Sequence, residues 1–200
     1  MSEHLQGQFP HRLSEKCPDA FNLEIKLLSI SQIEALVQLD MNCFGGLWTK
    51  DGYKRELESP NSEILGCCPP LDSSQLMGMG CFWSILDEAH ITILAVDSQY
   101  HSQGLGQALL YSLLKRAYKG GLKRATLEVR ASNHRAISLY QKFGFKIAGK
   151  RPKYYKDNNE DALILWLGKI QYPEFQQTLA SLLILVRDRL SQNGWNLVEY

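Results

Sequence analysis

The sequence predicts an α/β (α+β) domain in which a mixed central sheet carries one βαβ unit and is flanked by helices. Three observations predict it. Strand-like runs at 63–67, 75–85 and 89–96, the last rich in β-branched residues, follow one another with turn signals between them, as in a meander of antiparallel strands. A polar loop, DSQYHSQG, then leads into a helix on which Leu105, Leu109, Leu113 and Ala117 recur every four residues, with Leu110 and Leu114 beside them. A strand at 124–129 follows that helix, and strand–helix–strand at this spacing makes parallel neighbours.

The remaining elements fit this frame in order. Residues 1–22 have no hydrophobic periodicity, contain Pro10 and Pro18, and read as a weakly ordered tail. LEIKLL at 23–28 is a short strand. Ser31 is the expected cap of a helix with Ile33, Leu36, Val37 and Met41 on its apolar face, and Gly45-Gly46 stops it. Thr49 caps a second helix that ends near Ser59-Pro60. Strands are expected at 63–67, 75–85 and 89–96, with turns at Pro69-Pro70, at 72–74 and at Leu86-Asp87. Gly120-Gly121 ends the long helix. A shorter helix at 135–143 is closed by Gly144. Strands at 146–155 and 162–167 form a hairpin through KDNNED. Residues 175–191 form an amphipathic helix expected to pack on its own domain or on a second copy of the chain. The expected organisation is a tail at 1–22, a domain at 23–170 and a helical extension at 171–200.

Composition narrows the function classes. The chain has 200 residues, 44% hydrophobic and 22% charged, which is ordinary for one globular domain. Lys and Arg number 22 against 21 Asp and Glu, so bulk charge does not drive nucleic-acid binding. The five cysteines form no C-x-x-C pair, so a zinc or redox site is not expected, and reduced thiols in a cytoplasmic protein are. No apolar run approaches the ~20 residues of a membrane helix.

The sharpest local signal is HSQGLGQALL, residues 101–110, between a strand and a helix. Gly104 and Gly106 let the backbone approach a ligand, and the N–H groups of the first helical turn favour an anion. A phosphate or pyrophosphate follows. A Walker loop is excluded because no Lys follows the glycines. A dinucleotide fingerprint lacks its third glycine, where Leu109 stands, although Glu128 lies roughly where a ribose-binding acid belongs.

Residues 89–145 resemble the GNAT superfamily of acetyl-CoA-dependent N-acetyltransferases. The family's loop pattern, Q/R-x-x-G-x-G/A, reads here as His101-Ser102-Gln103-Gly104-Leu105-Gly106, with His101 a departure at the first position. LEVRASNHRAISLYQKFGF, at 127–145, resembles more closely the RimI-type ribosomal-protein alanine N-acetyltransferases. Arg151, Tyr154-Tyr155, Asp161-Ala162 and Trp48-Thr49 extend that likeness over roughly residues 23–170.

The resemblance implies a GNAT fold with acetyl-CoA as co-substrate, held in a V-shaped gap between two parallel central strands, and no metal. It implies that the backbone of Leu94, Ala95 and Val96 pairs with the pantetheine amides like an added strand. Ser102, Gln103, Gly104, Leu105, Gly106 and Gln107 would wrap the pyrophosphate, and Asn133 would bond the pantetheine arm. Glu128 is the implied base for the amine and Tyr140 the implied acid for the departing thiolate. The implied acceptor is the amino-terminal α-amine of a protein, with a small-subunit ribosomal protein beginning with Ala as the candidate. Acetylation of a small amine or of Lys, and a non-catalytic CoA- or dinucleotide-binding module, are the rival readings. No membrane or specific nucleic-acid partner is expected, and the carboxy-terminal helix is a candidate oligomer contact. His90 and His134, each without a second ligand at metal spacing, read as satisfied surface histidines.

Overall fold

The computed structural model describes residues 20–69 and 75–198. Of the expected tail at 1–22, residues 1–19 lie outside them, as does the turn at 72–74, whereas Phe21 and Asn22 are not tail but open the first strand. Eight strands form one sheet. In chain order they are β1 (Phe21–Leu27), β2 (Ser62–Cys67), β3 (Gly78–Ile85), β4 (Glu88–Val96), β5 (Arg124–Arg130), β6 (Lys146–Tyr155), β7 (Glu160–Leu167) and β8 (Trp195–Val198). The five helices are α1 (Ile33–Phe44), α2 (Lys50–Glu58), α3 (Leu105–Lys119), α4 (His134–Lys142) and α5 (Pro173–Ser191). The spatial order is β6-β7-β5-β4-β3-β2-β1-β8. The meander β2–β3–β4 is antiparallel and β4 runs parallel to β5, joined through α3, as the spacing predicts.

Local chemistry accounts for most boundaries. Thr49 Oγ1 accepts from Gly52 N at 3.1 Å and caps α2 as expected. The entry to α1 differs: a 3-10 turn at Ile30–Gln32 precedes it, and Ser29 rather than Ser31 opens the turn. Gln32 Oε1 reaches back to accept from Ser29 N at 2.9 Å, which fixes the start two residues early. Leu36 is buried on the expected face with Ile33 and Val37 packed beside it, Leu39 and Asp40 are buried too, and Met41, expected on that face, is exposed.

The carboxy-terminal segment belongs to the same core. Phe175, Leu179, Leu182, Val186 and Leu190 of α5 are buried in one cluster with the apolar face of α3. The chain then returns as β8, which pairs in parallel with β1 from Phe21–Trp195 to Glu24–Val198. The sequence reading contained no such strand.

One irregularity in β4 positions the site. Cys81 of β3 faces Ile93, but the next residue, Phe82, faces Ile91, so Thr92 is an extra residue in β4. Its hydroxyl donates to the Cys81 carbonyl at 3.5 Å. The bulge exchanges the faces of the strand. Ala89 and Ile91 pack with α3, whereas Ile93 and Ala95 join the second core cluster under α1 and α2. The bulge also parts β4 from β5. The two are in register from Glu88–Arg124 to Ile91–Leu127, and the pairing stops there. Thr92 to Val96 and Glu128 to Arg130 therefore flank a V-shaped opening.

Candidate active site

The α3–α4 face of the opening holds a cavity of about 520 Å³. Leu94 and Val96 of β4 form one wall, and Leu139 and Tyr140 of α4 the other. The start of α3 is its floor. Gly104 caps that helix at φ 101° with no side chain answering the first turn, so the N–H groups of the first turn are left to a ligand. Ser102 also has positive φ, 64°, so the loop turns sharply just ahead of Gly104. Gln107 Oε1 is buried beside this floor and has no hydrogen-bond partner. A buried acceptor of that kind fits a ligand N–H.

The two glycines act differently. A Cβ on Gly106 would lie 3.7 Å from Val96 and 3.8 Å from Leu139, so it would occupy the gap between the cavity walls. A Cβ on Gly104 would instead approach Arg189 at 3.1 Å and Leu190 at 3.2 Å, so it points at α5 and not into the cradle.

Positive charge gathers at the mouth. Arg189 Nη2 donates to the Ser102 carbonyl at 2.5 Å, and Arg135 Nη2 donates to Ser102 Oγ at 3.2 Å. His101, the departure from the family loop, spans the rim. Its Nε2 lies 2.8 Å from the Val96 carbonyl and its Nδ1 3.3 Å from Arg135 Nη1. A carbonyl and a guanidinium on opposite sides assign the ring proton to Nε2. Arg189 and Arg135 were not singled out from the sequence. Arg135 sits within the signature but carries no motif of its own, and Arg189 reaches the loop from α5 across 87 positions.

The cofactor-site residues read from the sequence divide. Leu94, Val96, Ser102, Gly104, Leu105, Gly106, Gln107 and Asn133 line the cavity. Asn133 also caps α4, its Oδ1 accepting from Ala136 N at 3.1 Å. The Ala95 side chain lies on the opposite face because of the bulge. Gln103 turns away to hold β8, its Oε1 accepting from Trp195 Nε1 at 2.9 Å. For both, only the backbone remains near the loop or strand edge.

Tyr140 lines the cavity and packs edge-on to Phe145 with ring centroids 5.8 Å apart. Burial, with Tyr155 adding to it, pushes its phenol far above the ordinary tyrosine value, so it keeps its proton at neutral pH. Glu128 does not line this cavity. Alternation along β5 puts Leu127 and Val129 against α3 and Glu128 on the other face, at the residue where pairing with β4 ends. Its side chain is only 11% exposed, with Oε2 3.3 Å from His90 Nε2 and Oε1 2.9 Å from Arg151 Nη2. The His90 hydrogen bond, aided by Arg151 and opposed by burial, holds its carboxyl below the usual range, so Glu128 is ionised at neutral pH.

An aromatic wall borders that side. Asp40, fully buried, accepts from Leu47 N at 3.0 Å and Trp48 N at 2.8 Å and so fixes the loop after α1. Trp48 stacks on Trp83 with centroids 6.3 Å apart and planes 5° off parallel, and Trp83 tilts over His90 at 6.1 Å. The thiols do not contribute. Burial pushes Cys67 up to about 12 and Cys43 and Cys81 up to about 11, so each is a thiol rather than a nucleophilic thiolate. Among the described residues no cluster of His, Cys, Asp and Glu suits a metal ion, and no helix is long and apolar enough to cross a membrane.

Comparison with known proteins agrees with this geometry. Residues 33–145 match the acetyltransferase (GNAT) family. A Bacillus subtilis relative, provisionally named a ribosomal protein bS18-alanine N-acetyltransferase, is 35% identical over 144 residues, covering 72% of this chain and 93% of the relative. The Escherichia coli K12 ribosomal protein bS18-alanine N-acetyltransferase is 48% identical over 85 residues, 42% of this chain and 57% of that protein. The crystal structure of the Escherichia coli ribosomal-protein-S18-alanine N-acetyltransferase superposes with a TM-score of 0.66 at 30% identity, over 74% of this chain and 94% of the other. A split parallel pair, a glycine-capped anion cradle and these likenesses converge: the chain belongs to the GNAT acetyltransferase family.

Proposed function

We propose that this protein transfers an acetyl group from acetyl-CoA to the amino-terminal α-amine of a protein, and that the acceptor is a ribosomal protein beginning with alanine. The names of the relatives support the acceptor class, and an acceptor of the ribosome supports a cytoplasmic enzyme. The observation that carries the chemistry is the V between β4 and β5, with a protonated phenol on one side and an ionised carboxylate on the other.

In this reading the first turn of α3 and the loop 102–107 hold the pyrophosphate through backbone N–H groups, while Arg135 and Arg189 supply positive charge. The free edge of β4 from Leu94 to Val96 pairs with the pantetheine amides, and Asn133 and Gln107 meet polar atoms of the arm. The acceptor amine enters from the Glu128 side. An α-amine has a pKa near ~8, so a carboxylate takes its proton, directly or through water, at modest cost. The amine nitrogen attacks the thioester carbonyl, and Tyr140 gives its proton to the sulfur as the C–S bond breaks. Acetyl transfer to a peptide with a free amino-terminal Ala, beside the same peptide blocked there and bearing a Lys, tests the reading. Turnover on the free terminus alone supports it; equal turnover on the blocked peptide overturns it.

A further inference from the structure

His90 stands out because the transfer chemistry uses only its neighbour. It lies on β4 directly opposite Thr126 of β5. Its Nδ1 is 3.0 Å from Thr126 Oγ1, and its Nε2 is 3.3 Å from Glu128 Oε2. The Thr126 hydroxyl is itself 2.5 Å from Glu88 Oε1, and Arg124 Nε holds the other Glu88 oxygen at 3.1 Å. Trp83 of β3 covers the ring, and its own Nε1 donates to Glu56 of α2 at 2.6 Å.

Proton counting decides how the ring bonds. Thr126 has one hydroxyl proton, and a carboxylate has none to give, so that proton points at Glu88. Thr126 must then accept from Nδ1. On the other side Nε2 faces an ionised carboxylate, which also only accepts. The ring therefore has an accepting oxygen against each nitrogen, Thr126 Oγ1 at Nδ1 and Glu128 Oε2 at Nε2.

We propose that His90 is a positioning residue for the acetyl transfer: it ties Glu128 Oε2 to the β4 side of the V while Arg151 ties Oε1, so that the carboxylate faces the entering amine in one orientation. The inference rests on the reading of Glu128 as base. The side chain joins the two strands one residue before their pairing ends, where the opening begins. Only a residue at that register position reaches across to both Thr126 and Glu128. A charge-assisted contact to one oxygen and a guanidinium to the other leave the remaining lone pairs for the acceptor.

His90→Phe keeps a ring under Trp83 and removes both nitrogens, whereas His90→Gln keeps one N–H. Thermal melts confirm that each variant folds. The expected result is kcat down at least about tenfold in His90→Phe with the acetyl-CoA KM within about twofold, and substantial recovery in His90→Gln. In a Glu128→Gln background the Phe substitution should add nothing, because the two residues act as one unit. A Glu128→Gln enzyme crippled beside a fully active His90→Phe enzyme overturns the positioning role alone. Multiplicative losses in the double variant also overturn it. Full activity of Glu128→Gln overturns the base assignment and the positioning role together.

Discussion

The two faces of the central sheet build their halves of the site by different means. On the α3–α4 face the proposed ligand cradle is backbone: a glycine-capped helix start, a sharp turn at Ser102, and a strand edge released by a bulge. On the α1–α2 face the site is side chains tied across strands, with Glu128 between His90 and Arg151 and an aromatic wall anchored by buried Asp40. A backbone cradle depends little on which side chains surround it, so His101 in place of Gln or Arg leaves the proposed cradle in place. A site of cross-strand pairs depends on register, since a slip of one residue sends each side chain to the other face. Cofactor binding on one face and proton removal by Glu128 on the other should therefore be separable by substitution.

The largest effect tests what both faces share. Phe175, Leu179, Leu182, Val186 and Leu190 of α5, with Trp195 and Leu197 of β8, are all buried. At roughly 1.5–3 kcal/mol for each large apolar side chain, their loss comes to about 10–20 kcal/mol, as large as the ~5–15 kcal/mol that a domain has in hand. A chain ended at Tyr172 should give no cooperative melt by circular dichroism. A cooperative melt with retained turnover shows that α5 and β8 are dispensable to both faces.

The glycines separate the cradle from its support. Gly106→Val fills the space between Val96 and Leu139, and should weaken acetyl-CoA binding at least about tenfold while the melting temperature holds. Gly104→Val meets Arg189 and Leu190 and forces a β-branched residue to φ 101°, so its first effect should be lower stability. Calorimetric titration with unchanged affinity in Gly106→Val removes the cradle reading.

What could be read in advance follows the same division. The α3 helix was legible because Leu105, Leu109, Leu113 and Ala117 repeat with the helical period and all are buried. The glycine loop was legible because a conformation that needs positive φ leaves its mark as glycine. The hidden parts depend on contacts far apart in the chain. Thr92 looks like any β-branched strand residue, yet it is the bulge that opens the V. Trp195–Val198 is too short to show a period, and it exists as β8 because β1 offers it an edge. Arg189 is one charged residue on an amphipathic helix until α5 docks beside Gly104. His90 resembled a surface histidine because its partners, Thr126 and Glu128, belong to another strand. Two details of α1 differed: a 3-10 turn opened by Ser29 precedes the helix in place of a Ser31 cap, and Met41, at the edge of a face on which Ile33, Leu36 and Val37 do pack, turns to solvent.

The proposed chemistry sets an ionised Glu128 and a protonated Tyr140 on opposite sides of one opening. Positioned proton transfers are typically worth ~100- to 10,000-fold each, so Glu128→Gln and Tyr140→Phe should both lower kcat by that order with acetyl-CoA affinity nearly unchanged. Glu128 is held below the usual carboxylate range, so it stays charged throughout the neutral and alkaline range, and its charge is lost only in acid as the pH falls through that lowered value. Recovery of the Gln variant at high pH would therefore reflect the acceptor amine losing its own proton near ~8. The most direct measurement is kcat for the two variants on one Ala-terminated peptide from pH 6.5 to 9. Glu128→Gln should climb towards wild type as the pH rises, while Tyr140→Phe stays low, because its defect lies in the departing thiolate. A Tyr140→Phe enzyme with near-normal kcat, or one that recovers in parallel with Glu128→Gln, would contradict the two-sided site.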